Sequence, residues 1–305
     1  MRILLTGATG FIGSHVARLL TQRGHDVHAP VRPHSDLRRL QDIAPSLTMY
    51  PGDLRSLGEA NSCLESIRPE VCVHLAWYAE PGKYLASMEN VRVLRDSAQL
   101  AARLAELGCR RFVGAGTCLE YDTSLGYLSE TSLAAPQSPY AATKLALYHA
   151  LEAIRGAGAM EFAWLRLFYL YGPWEDDRRL VPFVISSLLR NEVAKVTLGV
   201  QVRDFLHVRD VAAAVVAVVE ADVYGPVNVG SGEPVTVRDV ITEIGALLGA
   251  REQVAFGAVE PRTGDPKFMC ANNDRLVTNT DWLPSYSLRE GLADTVEWWR
   301  RHLSL

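Results

Sequence analysis

A tyrosine and a lysine four residues apart, Tyr140 and Lys144, are the side chains of this sequence best suited to proton transfer. A helix is predicted over residues 138–155, and residues i and i+4 of a helix lie on the same face. A phenol with a pKa of about 10 is a poor acid or base at neutral pH. A nearby ammonium group favours the phenolate and lowers that pKa, so the spacing predicts a general acid–base pair. Because the same spacing occurs by chance in many helices, this prediction depends on the rest of the sequence.

A glycine-rich segment near the start of the chain supplies that context. Gly7, Gly10 and Gly13 lie between a predicted strand at 2–6 and a predicted helix at 11–23. Glycine permits close approaches that a side chain would block, and the amide groups of a helix N-terminus attract a pyrophosphate. The spacing is GxxGxxG, not the more familiar GxGxxG, and a ligand-free turn is the alternative. The predicted cofactor contacts are Gly7, Thr9, Gly10, Phe11, Ile12 and Gly13, together with Tyr140 and Lys144.

The end of the second predicted strand, residues 26–31, bears on the choice of cofactor. An acidic residue there would bind the ribose 2′-hydroxyl of NAD, but the sequence from His28 to Arg32 contains none. Arg32 is instead suited to pair with a 2′-phosphate, assisted by Ser35 or Arg38. The alternative is that Arg32 is a solvated loop cation. The sequence therefore favours NADP, with NAD as the alternative.

Two further strand ends complete the predicted cofactor site. Asp53 and Leu54 follow the third strand, and Asp53 either hydrogen-bonds the adenine amino group or serves only as a turn or cap residue. Leu75 and Ala76 lie at the end of the fourth strand, where we expect the nicotinamide.

The end of the fifth predicted strand offers a third member for the proton-transfer group. Thr117 lies there, at the edge of the sheet where ligands collect. Its hydroxyl is placed to hydrogen-bond a reacting oxygen, although a satisfied turn threonine is the alternative. The neighbouring Cys118 is expected to be a small buried residue and not a nucleophile, because no partner base is evident.

The elements that must position these residues predict an α/β fold. Through the first 115 residues, short apolar strands alternate with helical patterns, which indicates a parallel sheet covered by helices on both faces. Right-handed crossovers then give a Rossmann-type doubly wound sheet. From residue 172 onward, proline and glycine are frequent and the elements are short. We predict a dinucleotide-binding domain at 1–171 and a smaller interleaved C-terminal α/β substrate lobe at 172–305, some of whose elements return to the Rossmann domain.

Composition excludes several functional classes. The 305 residues are 48% hydrophobic, enough for a sizeable core, and the net charge is -4 with a pI of about 6.1. Nucleic-acid and anionic-membrane binders usually carry a basic excess, and no apolar run is long enough to span a bilayer. The five cysteines are scattered, without a CxxC motif or a Cys/His cluster. We expect a soluble cytoplasmic protein without a metal site, and without nucleic-acid or membrane partners.

With these motifs in place, the sequence resembles the extended short-chain dehydrogenase/reductase family, specifically its nucleotide-sugar branch of NAD-dependent epimerases and dehydratases. The resemblance covers nearly the whole chain. It rests on TGATGFIGSH, on Tyr140 with Lys144, and on the segments 166–173, 203–212, 228–234 and 262–266. It implies an NAD(P) domain and a lobe that holds a nucleoside-diphosphate sugar. Arg203 and Arg262 would contact the diphosphate and Asp265 nearby hydroxyls, although unliganded surface arginines are the alternative.

The resemblance also bears on the sugar site and on assembly. The aromatic residues Trp77 and Tyr78 follow the fourth strand, so they either shape the sugar site or pack as a lid. Helical apolar faces at 94–107 and 145–151 imply a homodimer, since such helices pair across a two-fold axis in this family. Ordinary core packing explains part of the same pattern.

Departures from the family pattern narrow the chemistry. The 4,6-dehydratases have Asp and Glu directly after the threonine, whereas this chain has Cys118 and Leu119, and Glu120 comes one position late. Fucose-type epimerase-reductases have a cysteine at the position of Leu119. Both activities are therefore disfavoured. Tyr169 replaces the usual asparagine, which alters the substrate pocket and leaves one diphosphate contact open.

The main prediction is NADPH-dependent reduction of a 4-keto-6-deoxy nucleoside-diphosphate sugar at C4, with Tyr140 supplying the proton. The first alternative is a nucleotide-sugar 4-epimerase with bound NAD. Two others are a reductase of a non-nucleotide carbonyl and a non-catalytic redox sensor. The intact pair of Tyr140 and Lys144 argues against the sensor.

Overall fold

Short strands, most of them followed by a helix, build a large parallel sheet and a smaller lobe. The structure is a computed structural model that describes residues 1–52, 57–261 and 264–303, with the backbone only for 57–61. The strands are β1 Arg2–Thr6, β2 Asp26–Val31, β3 Thr48–Pro51, β4 Val71–His74, β5 Arg111–Thr117, β6 Tyr127–Leu128, β7 Glu161–Leu167, β8 Tyr169–Tyr171, β9 Ala194–Val196, β10 Val202–His207, β11 Gly225–Val229, β12 Pro234–Thr236, β13 Val254–Phe256 and β14 Cys270–Ala271. The α-helices are α1 Phe11–Gln22, α2 Leu57–Ile67, α3 Glu89–Glu106, α4 Pro139–Gly156, α5 Leu180–Leu189, α6 Val208–Glu220, α7 Val237–Leu248, α8 Asp274–Asn279 and α9 Leu288–His302.

The large sheet has the order β11-β7-β5-β4-β1-β2-β3, and all of its pairings are parallel. Side chains alternate along a strand and helices cover both faces of the sheet, so its apolar strands contribute to a core on each face. In β1, Ile3 and Leu5 pack into one core with residues of α1 and α6, while Leu4 packs into the opposite core with α3 and α4. The predicted doubly wound Rossmann fold is thereby confirmed.

The smaller lobe is interleaved with this sheet in the sequence. β8 pairs with β10, and β10 pairs with β12, so a second sheet forms beside a core supplied by α5, α7 and α9. α6 and β11 nevertheless return to the large sheet after residue 171. Among the helices of the described residues, none combines the length and hydropathy needed to cross a bilayer.

The carboxyl ends of the parallel strands meet at one edge of the large sheet. β1 leads into the glycine segment, β4 into Leu75, and β5 ends at Thr117. This topology brings together residues that are far apart in the sequence, because neighbouring parallel strands end on the same side.

Candidate active site

The glycine segment forms a tight turn between β1 and α1. Gly7 has a φ of +74°, and a Cβ atom there would lie 2.7 Å from the amide nitrogen of Ala76. A Cβ atom on Gly13 would collide with the carbonyl oxygen of Gly7. The amide of Gly10 donates to that same carbonyl at 2.9 Å. Side chains are therefore sterically excluded at Gly7 and Gly13, as expected where a backbone must approach a ligand.

The first turn of α1 is left open to a ligand. Gly10 is the N-cap residue, and no side chain of the described part of the chain caps the helix. The amides of Phe11, Ile12 and Gly13 have no carbonyl partner within the helix, as at any helix start. The uncapped helix end and the glycine turn fit a dinucleotide pyrophosphate.

A buried hydrogen-bond chain fixes the end of β4 beside this turn. The Thr6 hydroxyl lies 2.9 Å from Nδ1 of His74 and accepts from the amide of Ala76 at 3.2 Å. Nε2 of His74 lies 2.9 Å from the Ser97 hydroxyl. Burial lowers the pKa of His74 to about 3, so the imidazole is neutral near pH 7. Leu75 and Ala76, both predicted cofactor contacts, are thus held against Gly7.

Arg32, the cation predicted to bind a 2′-phosphate, is exposed directly after β2. Arg38, one of the two residues predicted to assist Arg32, instead forms an ion pair with Asp36 at 2.7 Å. Arg39, which the sequence analysis missed, donates to the carbonyl oxygen of Thr9 at 3.3 Å. Arg39 is therefore a cation beside the glycine turn, and no motif in the sequence distinguishes it from Arg38. Three predicted contact residues, Asp53, Leu54 and Arg262, lie outside the described residues.

Helix α4 begins so that its first turn carries Tyr140. The Ser138 hydroxyl accepts from the amide of Ala141 at 3.2 Å, and Pro139 occupies the first helical position, where its missing N–H costs nothing. Burial raises the pKa of Tyr140. The hydroxyl of the neighbouring Thr117 acts in the opposite direction and lowers that pKa, but less strongly. The predicted proton-transfer residues Thr117 and Tyr140 are therefore neighbours in the fold.

One turn further along α4, the side chain of Lys144 is buried. Its Nζ atom donates to the carbonyl oxygen of Ala115 at 2.6 Å and lies 5.9 Å from the ring centre of Tyr140. Burial lowers the pKa of Lys144 to about 7, while the nearby Glu120 carboxylate favours the ammonium form and raises it. A small change in surroundings therefore decides whether this group is charged near neutral pH.

Two aromatic rings cover the pair. The Nζ atom of Lys144 lies 3.7 Å from the ring centre of Trp77. The ring of Tyr84 packs edge-on against Tyr140 at 4.8 Å between ring centres. Trp77 was predicted as a substrate contact, and its position against Lys144 was not foreseen. Tyr84 was given no role, although the aromatic-rich segment after β4 pointed to this region.

Glu120 belongs to a buried hydrogen-bond network beside the site. Its carboxylate accepts from the Thr117 amide at 2.8 Å, from Nε1 of Trp164 at 3.0 Å and from Nε of Arg166 at 2.8 Å. The side chain is fully buried, and a Cβ atom on Gly116 would lie 2.6 Å from its Oε1 atom. Glu120 thus supports the backbone of Thr117, and its carboxylate is engaged in an ion pair and is not free to act as a base.

The smaller lobe brings three predicted substrate residues together. The guanidinium of Arg203 donates to Asp265 at 2.6 Å, and its central carbon lies 5.2 Å from the ring centre of Tyr169. Arg203 is nearly fully buried, so it is not a solvated surface cation. Cys118 is buried in a small apolar cluster against which Tyr169 packs, and burial raises the pKa of its thiol to about 12, which keeps the thiol protonated.

This arrangement places a phenol, a buried amine and a hydroxyl beside a turn suited to a dinucleotide. Such a group can move one proton to or from a substrate oxygen while hydride moves to or from a nicotinamide.

Comparisons with known proteins agree with this geometry. Residues 3–230 match the model of the NAD dependent epimerase/dehydratase family. A UDP-glucose 4-epimerase of Rhizobium leguminosarum bv. trifolii is 28% identical, over 97% of this chain and 96% of that protein.

Solved structures give the same result. UDP-glucose 4-epimerase from Thermotoga maritima, solved with UDP-glucose, has a TM-score of 0.90 and 26% identity, and the match covers 99% of this chain and 100% of that one. MoeE5, solved with UDP-glucose and NAD, has a TM-score of 0.83 and 34% identity at the same coverage. The resemblance predicted from the motifs is confirmed. This chain belongs to the NAD-dependent epimerase/dehydratase family.

Proposed function

We propose that this chain exchanges hydride at C4 of a nucleoside-diphosphate sugar and that its reaction is 4-epimerisation. The observation that carries the proposal is the buried Lys144 amine 5.9 Å from the Tyr140 ring centre, with Thr117 close to Tyr140 and the glycine turn at the same edge of the sheet. The positions after Thr117 hold Cys118 and Leu119, so the acid and base for an elimination are missing. The similar epimerases support the same reaction.

Each residue has a defined task in this reaction. When bound, the nicotinamide ring supplies the hydride acceptor and donor for C4. Tyr140 takes the proton of the 4-hydroxyl group as the ketone forms, and returns it to that same oxygen when the ketone is reduced. The configuration inverts because the sugar turns between the two steps, so that hydride would return to the opposite face of C4. Lys144 stabilises the phenolate, and Thr117 holds the reacting oxygen by a hydrogen bond.

The diphosphate lies against the smaller lobe in this proposal. Arg203 is positioned by Asp265 at 2.6 Å and binds phosphate oxygens, with Arg262 as its partner cation. The Asp265 side chain is 33% exposed and offers its carboxylate to a sugar or ribose hydroxyl, and Tyr169 and Trp77 border the hexose. Because two similar proteins were solved with UDP-glucose, a UDP-hexose is the substrate class we expect.

A second candidate, NADPH-dependent reduction of a 4-keto sugar, is favoured by one specific observation. β2 ends at Val31, where an acid would bind NAD, and the exposed Arg32 follows. Such a cation suits the 2′-phosphate of NADP. The two reactions differ in stoichiometry. A reductase consumes one NADPH per 4-keto sugar, whereas an epimerase consumes none.

A homodimer through α3 and α4 is part of the proposal. These helices pack on each other, while Val91 of α3 and Met88, the residue directly before α3, are 45% and 68% exposed. Sedimentation equilibrium tests this, with a mass near twice 33.6 kDa as the expected result and a monomer as the contradicting one.

The replacement Tyr140→Phe tests the assignment of the proton donor. We expect kcat for UDP-hexose epimerisation to fall by about 10² to 10⁴, the usual contribution of a general acid–base group. Thermal stabilisation by NAD or NADP, which reports cofactor binding, is expected to remain. Tyr148→Phe is the matched control, because this tyrosine lies on the same helix and bonds Glu152 at 2.7 Å. Full turnover by Tyr140→Phe would refute the proposed chemistry.

A further inference from the structure

The ammonium group of Lys144 rests on the face of an indole. Its Nζ atom is 3.7 Å from the ring centre of Trp77, well inside the distance of about 6 Å at which a cation is attracted to an aromatic face. Lys144 is 3% exposed, so water competes little with this contact. Desolvated cation–π contacts are the stronger ones.

The plane of the indole is fixed by hydrogen bonds as well as by packing. Nε1 of Trp77 donates to Oδ1 of Asn90 at 2.9 Å. The amide nitrogen of Asn90, which is fully buried, donates to the carbonyl oxygens of Tyr84 at 2.6 Å and Ser87 at 2.9 Å. Asn90 therefore joins the ring over Lys144 to the segment whose Tyr84 ring packs on Tyr140. Such a network holds Trp77 in one orientation.

Few other groups stabilise a charge on Lys144. Tyr140 faces it from α4, His74 from β4 and Glu120 from the turn after β5. His74 is neutral, and the Glu120 carboxylate is engaged with Arg166. Within the described residues, Lys144 makes no ion pair at 4 Å or less. In the described part of the chain, its ammonium group donates to the Ala115 carbonyl and lies on the face of the indole.

We propose that Trp77 is a positioning residue that holds the Lys144 ammonium in place and keeps it protonated against the cost of burial. The effect of Trp77 on catalysis rests on the proposed function, in which the charged Lys144 stabilises the Tyr140 phenolate. The contact itself is a property of the protein without substrate and can be measured without turnover.

The chain has only four lysines, Lys83, Lys144, Lys195 and Lys267, which makes a direct titration practical. Protein labelled with 13C at lysine Cε gives one NMR signal per lysine, and Lys144→Met assigns the signal of interest. We expect the pKa of Lys144 to fall by about 1 in Trp77→Leu, which keeps an apolar cover but removes the π face. Trp77→Phe keeps an aromatic face, and we expect a smaller fall.

Trp298→Leu is the matched control, because it removes an indole that stacks on His302 and not on a lysine. An unchanged or raised pKa of Lys144 in Trp77→Leu, or an equal fall in Trp298→Leu, would overturn the proposal. Trp77→Phe retains most of the packing, so it provides the titration if Trp77→Leu does not fold. If Tyr140→Phe keeps full turnover while the titration behaves as expected, the proposed function fails and the cation–π contact stands.

Discussion

At the scale of single residues, burial governs the chemistry of this site. It raises the pKa of Tyr140, lowers that of Lys144 to about 7 and keeps His74 neutral. The sequence predicted Tyr140, Lys144 and Thr117 because their types, their spacing and a strand end indicate proton transfer. It could not place Trp77 on Lys144, because that contact joins β4 to α4 and depends on packing.

The buried Lys144 makes stability depend on pH in a defined direction. Its pKa is about 7 in the folded protein and 10.5 for the free side chain, so the unfolded state binds more protons between these values. Stability contributed by this group is therefore gained as pH rises and lost as pH falls towards 7. Relative to Lys144→Met, we expect the unfolding free energy of the wild type to rise by up to about 1.4 kcal/mol per pH unit between pH 7 and 9.

Urea unfolding at several pH values measures this difference. The exposed Lys195 provides the control, since Lys195→Met is expected to leave the pH dependence unchanged. A constant difference between wild type and Lys144→Met would show that Lys144 is not a titrating buried group.

The buried ion pair of Glu120 and Arg166 predicts a large effect on stability. Glu120→Gln leaves the Arg166 charge uncompensated, so we expect a loss of about 3 kcal/mol in the free energy of unfolding. Glu161→Gln is the control, because its pair with Arg155 at 2.9 Å has both side chains about half exposed. We expect less than about 1 kcal/mol there. Equal losses in the two variants would contradict the role given to burial.

At the scale of elements, strand ends and helix starts place the site. The alternation of apolar strands and helical patterns was enough to predict β1 and β2 with their observed limits. The hydrogen bonds that lock the strand ends together, such as Thr6 to His74, depend on which strands are neighbours. Sequence periodicity does not report that order, although the doubly wound topology restricts it.

The glycine turn offers a test at this scale. In Gly13→Ala the added methyl group collides with the Gly7 carbonyl, so the first turn of α1 must shift. We expect the unfolding free energy to fall by about 1–3 kcal/mol, as for other overpacked sites, and thermal stabilisation by NAD or NADP to be largely lost. Gly156→Ala is the control, because its methyl group meets open space at the end of α4. A Gly13→Ala protein that binds the dinucleotide normally would contradict the proposed pyrophosphate site.

At the scale of the whole molecule, the large sheet and the smaller lobe contribute different parts of the site. The sheet carries the glycine turn, Thr117 and the Tyr140 pair, and the lobe carries Arg203 with Asp265. The first part was readily predicted, because regular strands and helices surround it. The second part was inferred from the family resemblance alone, because short elements rich in proline and glycine do not reveal their partners. The contacts of Arg203 with Asp265 and with Tyr169 can be identified only from the three-dimensional structure.

Proton NMR of UDP-glucose incubated in D2O with the protein and a catalytic amount of NAD tests whether the chain is a 4-epimerase. We expect the C4 epimer to accumulate. Protium should remain at C4, because hydride returns to the carbon it left, and C5 should take up no deuterium. Deuterium at C5 would indicate elimination chemistry and contradict 4-epimerisation. Absence of the epimer, together with stoichiometric oxidation of NADPH by a 4-keto sugar, would contradict epimerisation and identify the reductase instead.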